Sequence, residues 1–314
     1  MKTAPTASVC IVTYNSGPDI GNCLEAVLAL SHSLERIVVV DNASTDNSRE
    51  VVRRFGDKVV LVENPVNVGF AQGQNQAIAH TSSDYVLTLN PDVTLDSEYL
   101  GTLIAVMEED RRVGSATGQL VLGSEPTVID STGIEMGRTR RVWDRGGGDP
   151  VSQWEESGEL FGVSAAAAVY ARRMIEDIKL EGQFFDETYF AYKEDVDVAW
   201  RSKLLGWKAY YAAEAKATHG RGWKYEGRKS RKRMSLLIRR HSYQNRIYTI
   251  VKNEPADWAL FLTIPRLIGF ELLQIGYMLV FEPGLLKCWY NIMKELPRLL
   301  KKRRSIQKMR NSRI

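Results

Sequence analysis

Apolar runs closing in polar clusters alternate with helical periodicity along the first ninety residues. "SVCIVTYNS" is a continuous, β-rich apolar run ending in Asn15 and Ser16; behind Pro18 and Asp19, Ile20, Leu24, Val27 and Leu28 fall at helical spacing. "RIVVVDNAST" repeats the strand pattern and "DNSREVVRRF" the helix; "VVLVEN", "GFAQGQNQAIAHT" and "YVLTLNPD" add a strand, a helix and a fourth strand. Strands apolar on both faces and alternating with helices predict an α/β fold built on an open, mostly parallel sheet. Ligands of such sheets bind outside the carboxyl ends of the strands. The polar clusters sit there: Thr13, Tyr14 and Asn15 after the first strand, Asp41 and Asn42 after the second, Asn90-Pro91-Asp92 after the fourth.

Beyond Asp92 the pattern loosens. "SEYLGTLIAVMEED" and "DVDVAWRSKLLGW" predict helices, the latter with Gly206 near its end, where a glycine commonly closes a helix. Charge divides the chain. Residues 1–219 carry 20 Lys/Arg against 32 Asp/Glu, and the stretch from Gly220 to the end carries 22 against 6. An acidic body with a basic tail implies an anionic partner for the tail, and without a recognition motif nucleic acid is not expected. Two regions follow: residues 1–222, with a nucleotide-binding half at about 7–118 and an acceptor half at about 119–222, and a basic, aromatic helical region at 223–314. Cys10, Cys23 and Cys288 lie far apart, which fits a reducing compartment, and the N-terminus has no signal-peptide pattern, so a cytoplasmic location is expected.

A lone Asn-Pro-Asp reads as a turn. Three neighbouring strands presenting polar groups at one sheet edge make a pocket instead, and an oxygen ligand there suits Mg2+ or Mn2+ shared with a diphosphate. The Asp41-Asn42 pair reads equally as helix-capping chemistry, but Ser44, Thr45 and Asp46 can cap as well and leave Asp41 free. Glu194, Asp195 and Asp197 open a helix, where the macrodipole favours negative charge, and Asp197 is spaced to pair with Arg201. "NVGFAQGQN" has neither a dinucleotide-binding glycine pattern nor a phosphate-loop lysine; its glycines admit close backbone approach.

"VCIVTYNS", "VVVDNASTD", "NVGFAQGQNQAI", "LTLNPDV" and "FFDETYFAYKEDVDVAWRSKLLGW" occur in the order found in family-2 glycosyltransferases of the GT-A fold, and the chain resembles that family over about residues 7–219. Bacterial rhamnosyltransferases, which carry Asn-Pro-Asp where other members have Asp-x-Asp, are its nearest look-alikes. The resemblance implies that Asp92 binds a divalent cation bridging the nucleotide diphosphate, with His219 completing the shell. It implies that Asp41 holds a pyrimidine base in a pocket lined by Thr13 and Tyr14, and that Asn90, standing where the first Asp would be, contacts sugar or ribose. Asn75 would be a donor contact. Asp195 would be the general base of an inverting transfer, with Glu194 orienting the acceptor or the base. The implied donor is dTDP-rhamnose or a UDP-sugar, and the implied acceptor a glycan, free or carried on a polyprenyl diphosphate.

Trp258 to Phe281 is long enough to span a bilayer but is interrupted by Pro265, Arg266 and Glu271. Helices lying in the interface of an anionic membrane, at the inner face of the cell membrane, are therefore expected; a buried cap or homodimer interface is the competing reading. A nucleotidyltransferase would share the sheet and the metal but would carry a glycine- and basic-rich phosphate loop, and "VCIVTYNSGPD" has one glycine and no Lys or Arg. A non-catalytic sugar- or lipid-binding module would have no need of both Asp92 and the Glu194-Asp195 pair.

Overall fold

The computed structural model describes residues 4–220, 234–257 and 260–313. Four strands form the parallel half of its central sheet: β1 (Ala7–Thr13), β2 (Leu34–Asp41), β3 (Val60–Glu63) and β4 (Tyr85–Leu89), in the order β3-β2-β1-β4. Helices α1 (Ile20–Leu28), α2 (Ser48–Arg53) and α3 (Phe70–Ala79) cross between them. Every residue of β1 and β4 is buried, which is why their sequences run apolar without alternation.

The other half is mixed. After β5 (Val93–Leu95) and α4 (Tyr99–Glu109) come β6 (Val113–Leu122), β7 (Glu125–Ser131), the small pair β8 (Ile134–Met136) and β9 (Val142–Asp144), β10 (Gly158–Leu160), β11 (Ala167–Ala171), α5 (Arg172–Ile178), α6 (Glu194–Leu204) and β12 (Lys208–His219). Strand β11 runs antiparallel between β4 and β6 and joins the halves; β6 and β12 are parallel. The α/β class with its helical extension stands, the sheet being wholly parallel on the nucleotide side. Gly206, at φ 85°, closes α6 as expected.

The boundary expected near 222 lies outside the described residues. Beyond it, α7 (Leu236–Asn253), α8 (Leu260–Phe281) and α9 (Lys287–Asn311) build a second core that includes Tyr248, Met278, Ile292 and Leu299, and Tyr189 from the body packs into it. Fully buried charges fasten the two. Lys252 of α7 pairs with Asp186 and lies 2.9 Å from Asp197; Lys302 of α9 lies 2.5 Å from Asp186; and Arg201 bonds Asp197 at 3.0 Å. Burial alone would raise the Asp186 carboxyl, but Lys252 and Lys302 outweigh it and hold it far below the ordinary carboxylate range.

Helix α8 runs unbroken through Pro265, contrary to the expected interruption. Pro265 is the sixth helical residue, so its missing N–H removes one bond near the helix start. Glu271 is turned inward, paired with Arg246 and accepting from Tyr243 Oη at 3.1 Å. The outer face stays apolar and exposed: Phe261 is 82%, Leu273 74% and Val280 71% accessible.

Asp186→Asn leaves Lys302 with no carboxylate and Lys252 with Asp197 alone. It is expected to cost about 3–5 kcal/mol in urea unfolding, with the loss largest above about pH 4, where the unfolded-state carboxylate is ionised as well as the native one, and shrinking as pH falls below that. An unchanged midpoint would show that the cluster does not fasten the helices.

Candidate active site

The carboxyl ends of β1, β2 and β4 lie side by side, with Thr13 opposite Asp41 and the Asn42 N–H donating to Thr13 O at 2.9 Å. Thr13 and Asp41 are fully buried; Asp41 Oδ2 accepts from the Ser44 N–H at 3.0 Å, while Asp41 Oδ1 and Thr13 Oγ1 have no hydrogen-bond partner within the chain. Buried polar atoms are rarely left so, and two orphans on adjacent strand ends suit a ligand that supplies the missing bonds. Tyr14 beside them is 51% exposed, free to cover a bound ring.

Three asparagines of the expected nucleotide set are occupied elsewhere. Asn15, at φ 53°, uses Oδ1 to accept from the Thr45 N–H at 2.8 Å and so braces one strand-end loop on the next. Asn42 donates to Gly69 O at 3.0 Å and accepts from Asn64. Asn75 donates to Phe185 O at 2.7 Å and accepts from the Phe185 N–H at 3.0 Å. The Asn42 and Asn75 amides are thus engaged in holding neighbouring loops. Asn90 is half-buried, its N–H donating to Ala166 O at 2.8 Å.

Pairing of β12 with β5 sets His219 opposite Val93, and the Gly220 N–H donates to Asp92 O at 2.6 Å. His219 Nε2 therefore lies 3.2 Å from Asp92 Oδ1. On its other side His219 Nδ1 is 2.7 Å from Asp130 Oδ2. Asp130, which the sequence reading missed, is an extra residue in the β6–β7 pairing, where Leu120 faces Ser131 and Val121 faces Ile129; the bulge aims its carboxylate at the imidazole. Its sequence signal is slight, a single acid among apolar neighbours in "TVIDSTG". Burial disfavours the His219 imidazolium, but the bonds to Asp130 and Asp92 outweigh it and raise the imidazole to about 9. Asp92 offers an oxygen ligand, and His219, backed by Asp130, would join it as a ligand of a divalent cation only after losing the Nε2 proton that it shares with Asp92.

The second acidic group opens α6, where the Ala165 backbone bonds Asp195. Burial and the Asp195 charge push the Glu194 carboxyl up to about 8, and its Oε2 is buried without a partner within the chain. Asp195 is also raised, by burial and by Asp144, against the opposing pull of Lys193 and of the Val196 and Ala165 backbone. Near neutrality the Glu194 carboxyl is therefore mostly protonated. Asp197, two residues on, goes the other way: burial opposes its charge, but Lys252 and Arg201 prevail and lower it. Access to the pair is shaped by the preceding loop. Gly69, at φ 86°, lets the Phe70 N–H reach Phe190 O at 2.7 Å; a Cβ at Gly69 would stand 2.2 Å from that oxygen.

Residues 8–178 match the profile of "Glycosyl transferase family 2", more than half of the chain. The chain belongs to this family. Among relatives, the poly-beta-1,6-N-acetyl-D-glucosamine synthase of Staphylococcus aureus is 23% identical over 204 residues, 64% of this chain and 46% of the relative. That of Staphylococcus epidermidis is 21% identical over 211 residues, 66% and 48%. The chain thus spans about half the length of the curated relatives it matches. Of solved structures, residues 1–349 of S. aureus TarS superpose with a TM-score of 0.60 at 14% identity, covering 98% of this chain and 91% of that one. GalNAc-T7 with UDP, GalNAc and Mn2+ gives 0.61 at 14%, covering 79% and 48%. A Pyrobaculum calidifontis mannosyltransferase with GDP-Man and Mn2+ gives 0.57 at 17%, covering 99% and 85%. At these identities the likeness is one of fold, and this family-2 member has the GT-A architecture.

Because the folded Glu194 carboxyl is raised, the native state loses stability as pH rises from the ordinary carboxylate range through about 8. Glu194→Gln removes that penalty. Its gain in Tm over wild type is expected to be small at pH 5 and to grow steadily to pH 9; a gain independent of pH would place Glu194 in solvent.

Proposed function

We propose that this chain is an inverting glycosyltransferase that moves a sugar from a pyrimidine nucleoside diphosphate donor to a hydroxyl of a glycan acceptor. The observation that carries the reading is the presence of two distinct acidic groups, the Asp92–His219–Asp130 relay at the end of β12 and the buried, raised Glu194–Asp195 pair at the start of α6, together with the unpartnered Thr13 and Asp41 atoms at the ends of β1 and β2.

Asp41 and Thr13 bind the base, Tyr14 covers it, and Asn90 contacts ribose or sugar. Asp92 and His219 would hold Mg2+ or Mn2+, which when bound offsets the charge developing on the departing diphosphate; GalNAc-T7 and the Pyrobaculum enzyme were both solved with Mn2+. Asp130 fixes the imidazole so that Nε2 faces the diphosphate. Asp195 takes the proton from the acceptor hydroxyl as its oxygen bonds to the anomeric carbon and the bond from that carbon to phosphate oxygen breaks. Its raised carboxyl is a stronger base than an ordinary aspartate, and Glu194, protonated near neutrality, has a hydrogen to donate to the acceptor.

Rhamnose from dTDP-rhamnose is the donor that the Asn90-Pro91-Asp92 motif favours. A UDP-sugar is the second reading, favoured by TarS structures with UDP and UDP-GlcNAc. Both bases present the same hydrogen-bonding edge to Asp41. Helix α8 offers the membrane contact: Phe261–Phe281 is long and apolar enough to cross a bilayer, with mean hydropathy 1.4 and only 6% of its most apolar stretch buried. With basic residues around it, this face seats the enzyme on the anionic inner surface of the cell membrane, within reach of a lipid-carried acceptor in envelope polysaccharide synthesis.

Calorimetric titration with dTDP and with UDP, in Mn2+ and in EDTA, is expected to give metal-dependent binding that Asp92→Asn abolishes; binding indifferent to EDTA would remove the metal role. Asp195→Asn is expected to lower kcat by about 10²–10⁴-fold with nucleotide binding intact, and retained turnover would move the base elsewhere. The full chain should float with anionic vesicles, less so after Phe261→Ser and Leu273→Ser together. A chain that stays with the pellet as a dimer would give the α8 face to a second copy instead.

A further inference from the structure

Asn245 lies fully buried in the middle of α7, remote in sequence from every family motif. Its Nδ2 donates to Ala191 O at 2.9 Å and to Tyr192 O at 2.7 Å. Those carbonyls belong to the turn that launches the catalytic helix. Tyr192 and Lys193 both stand in the left-handed region, at φ 72° and 73°, and Glu194 and Asp195 follow at once. Two consecutive side-chain-bearing residues hold that conformation only where the surroundings impose it. Helix α6 has no side-chain cap of its own, so the direction in which it presents Asp195 is set by this turn. Neighbouring bonds extend the clamp: Tyr189 Oη meets Thr249 Oγ1 at 2.8 Å, and Thr249 Oγ1 donates to Asn245 O at 2.8 Å.

Asn245 Oδ1, by contrast, is buried with no hydrogen-bond partner. An amide whose oxygen is left unsatisfied is a poor way to stabilise a helix interface, where an apolar side chain would serve better. What the residue supplies is the pair of donors aimed at the turn.

We infer that Asn245 is a positioning residue for Asp195, and that the active site is completed by the helices beyond residue 234. The inference rests on the reading of Asp195 as the base. Asn245→Ala keeps helix propensity and removes only the amide. Ile292→Ala, which opens a cavity in the same second core but leaves the Asn245 amide and its two bonds in place, is the control for simple loss of stability.

In the full-length chain, amide exchange over residues 186–196 is expected to rise in Asn245→Ala well beyond that in the control. In parallel, kcat should fall at least about tenfold relative to the control, while nucleoside diphosphate Kd and donor KM stay near wild type. Exchange over 186–196 no faster than in the control overturns the inference. So does faster exchange with kcat equal to the control, since the turn would then be loosened without consequence for the base. A wild type that turns over beside a control-like variant condemns Asn245 alone; a wild type inert toward dTDP- and UDP-sugars condemns the reading beneath it and the inference together.

Discussion

Three cations and two carboxylates, all buried, hold this molecule together as one working unit. Asp186 comes from the loop before α6, Asp197 and Arg201 from α6 itself, Lys252 from α7 and Lys302 from α9. Charges taken out of water persist only when each is paired and hydrogen-bonded. Here Arg201 also donates to Ile178 O and Phe184 O, each at 2.5 Å, Lys302 to Thr188 Oγ1 at 2.9 Å, and the Asn253 amide to Asp197 Oδ1 at 2.7 Å. Loss of Asp186 would leave Lys302 without a carboxylate, and loss of Asp197 would do the same to Arg201. The loop from Asp186 to Lys193 is thereby tied to α7 and α9, and α6 follows directly from it.

The same helix start shows how environment divides chemically similar groups. Glu194, Asp195 and Asp197 lie within four residues, yet the first two are raised and the third lowered. The helix dipole acts on all three alike and so explains none of the difference. Asp197 faces Lys252 and Arg201; Glu194 and Asp195 face each other, Asp144 and a dry wall. The structural carboxylate is kept charged and the pair next to it is kept basic, within a single turn of helix.

On the donor side the governing constraint is register. His219 meets Asp92 because β12 pairs with β5 residue for residue, and Asp130 meets His219 because the β7 bulge supplies an odd residue at that level. A slip of one residue would turn His219 to the opposite face of the sheet. The asparagines around the strand ends, Asn15, Asn42 and Asn75, are braces that keep these loops in place.

The sequence by itself determined the parallel half of the sheet, the polar clusters at its strand ends and the Asp197–Arg201 pair, because each is encoded locally in periodicity or spacing. It also marked the C-terminal region as basic, helical and apolar. Only the tertiary structure decided which polar residues are free and which are braces, since that depends on backbone carbonyls brought from residues such as Gly69 and Phe185. It alone placed Asp130 behind His219, and it alone tied Lys252, Lys302 and Asn245 to the catalytic loop, contacts that join residues more than fifty positions apart. Hydropathy reports how much of a helix is apolar, whereas the partner of a buried charge is fixed by packing, and packing is a property of the whole chain.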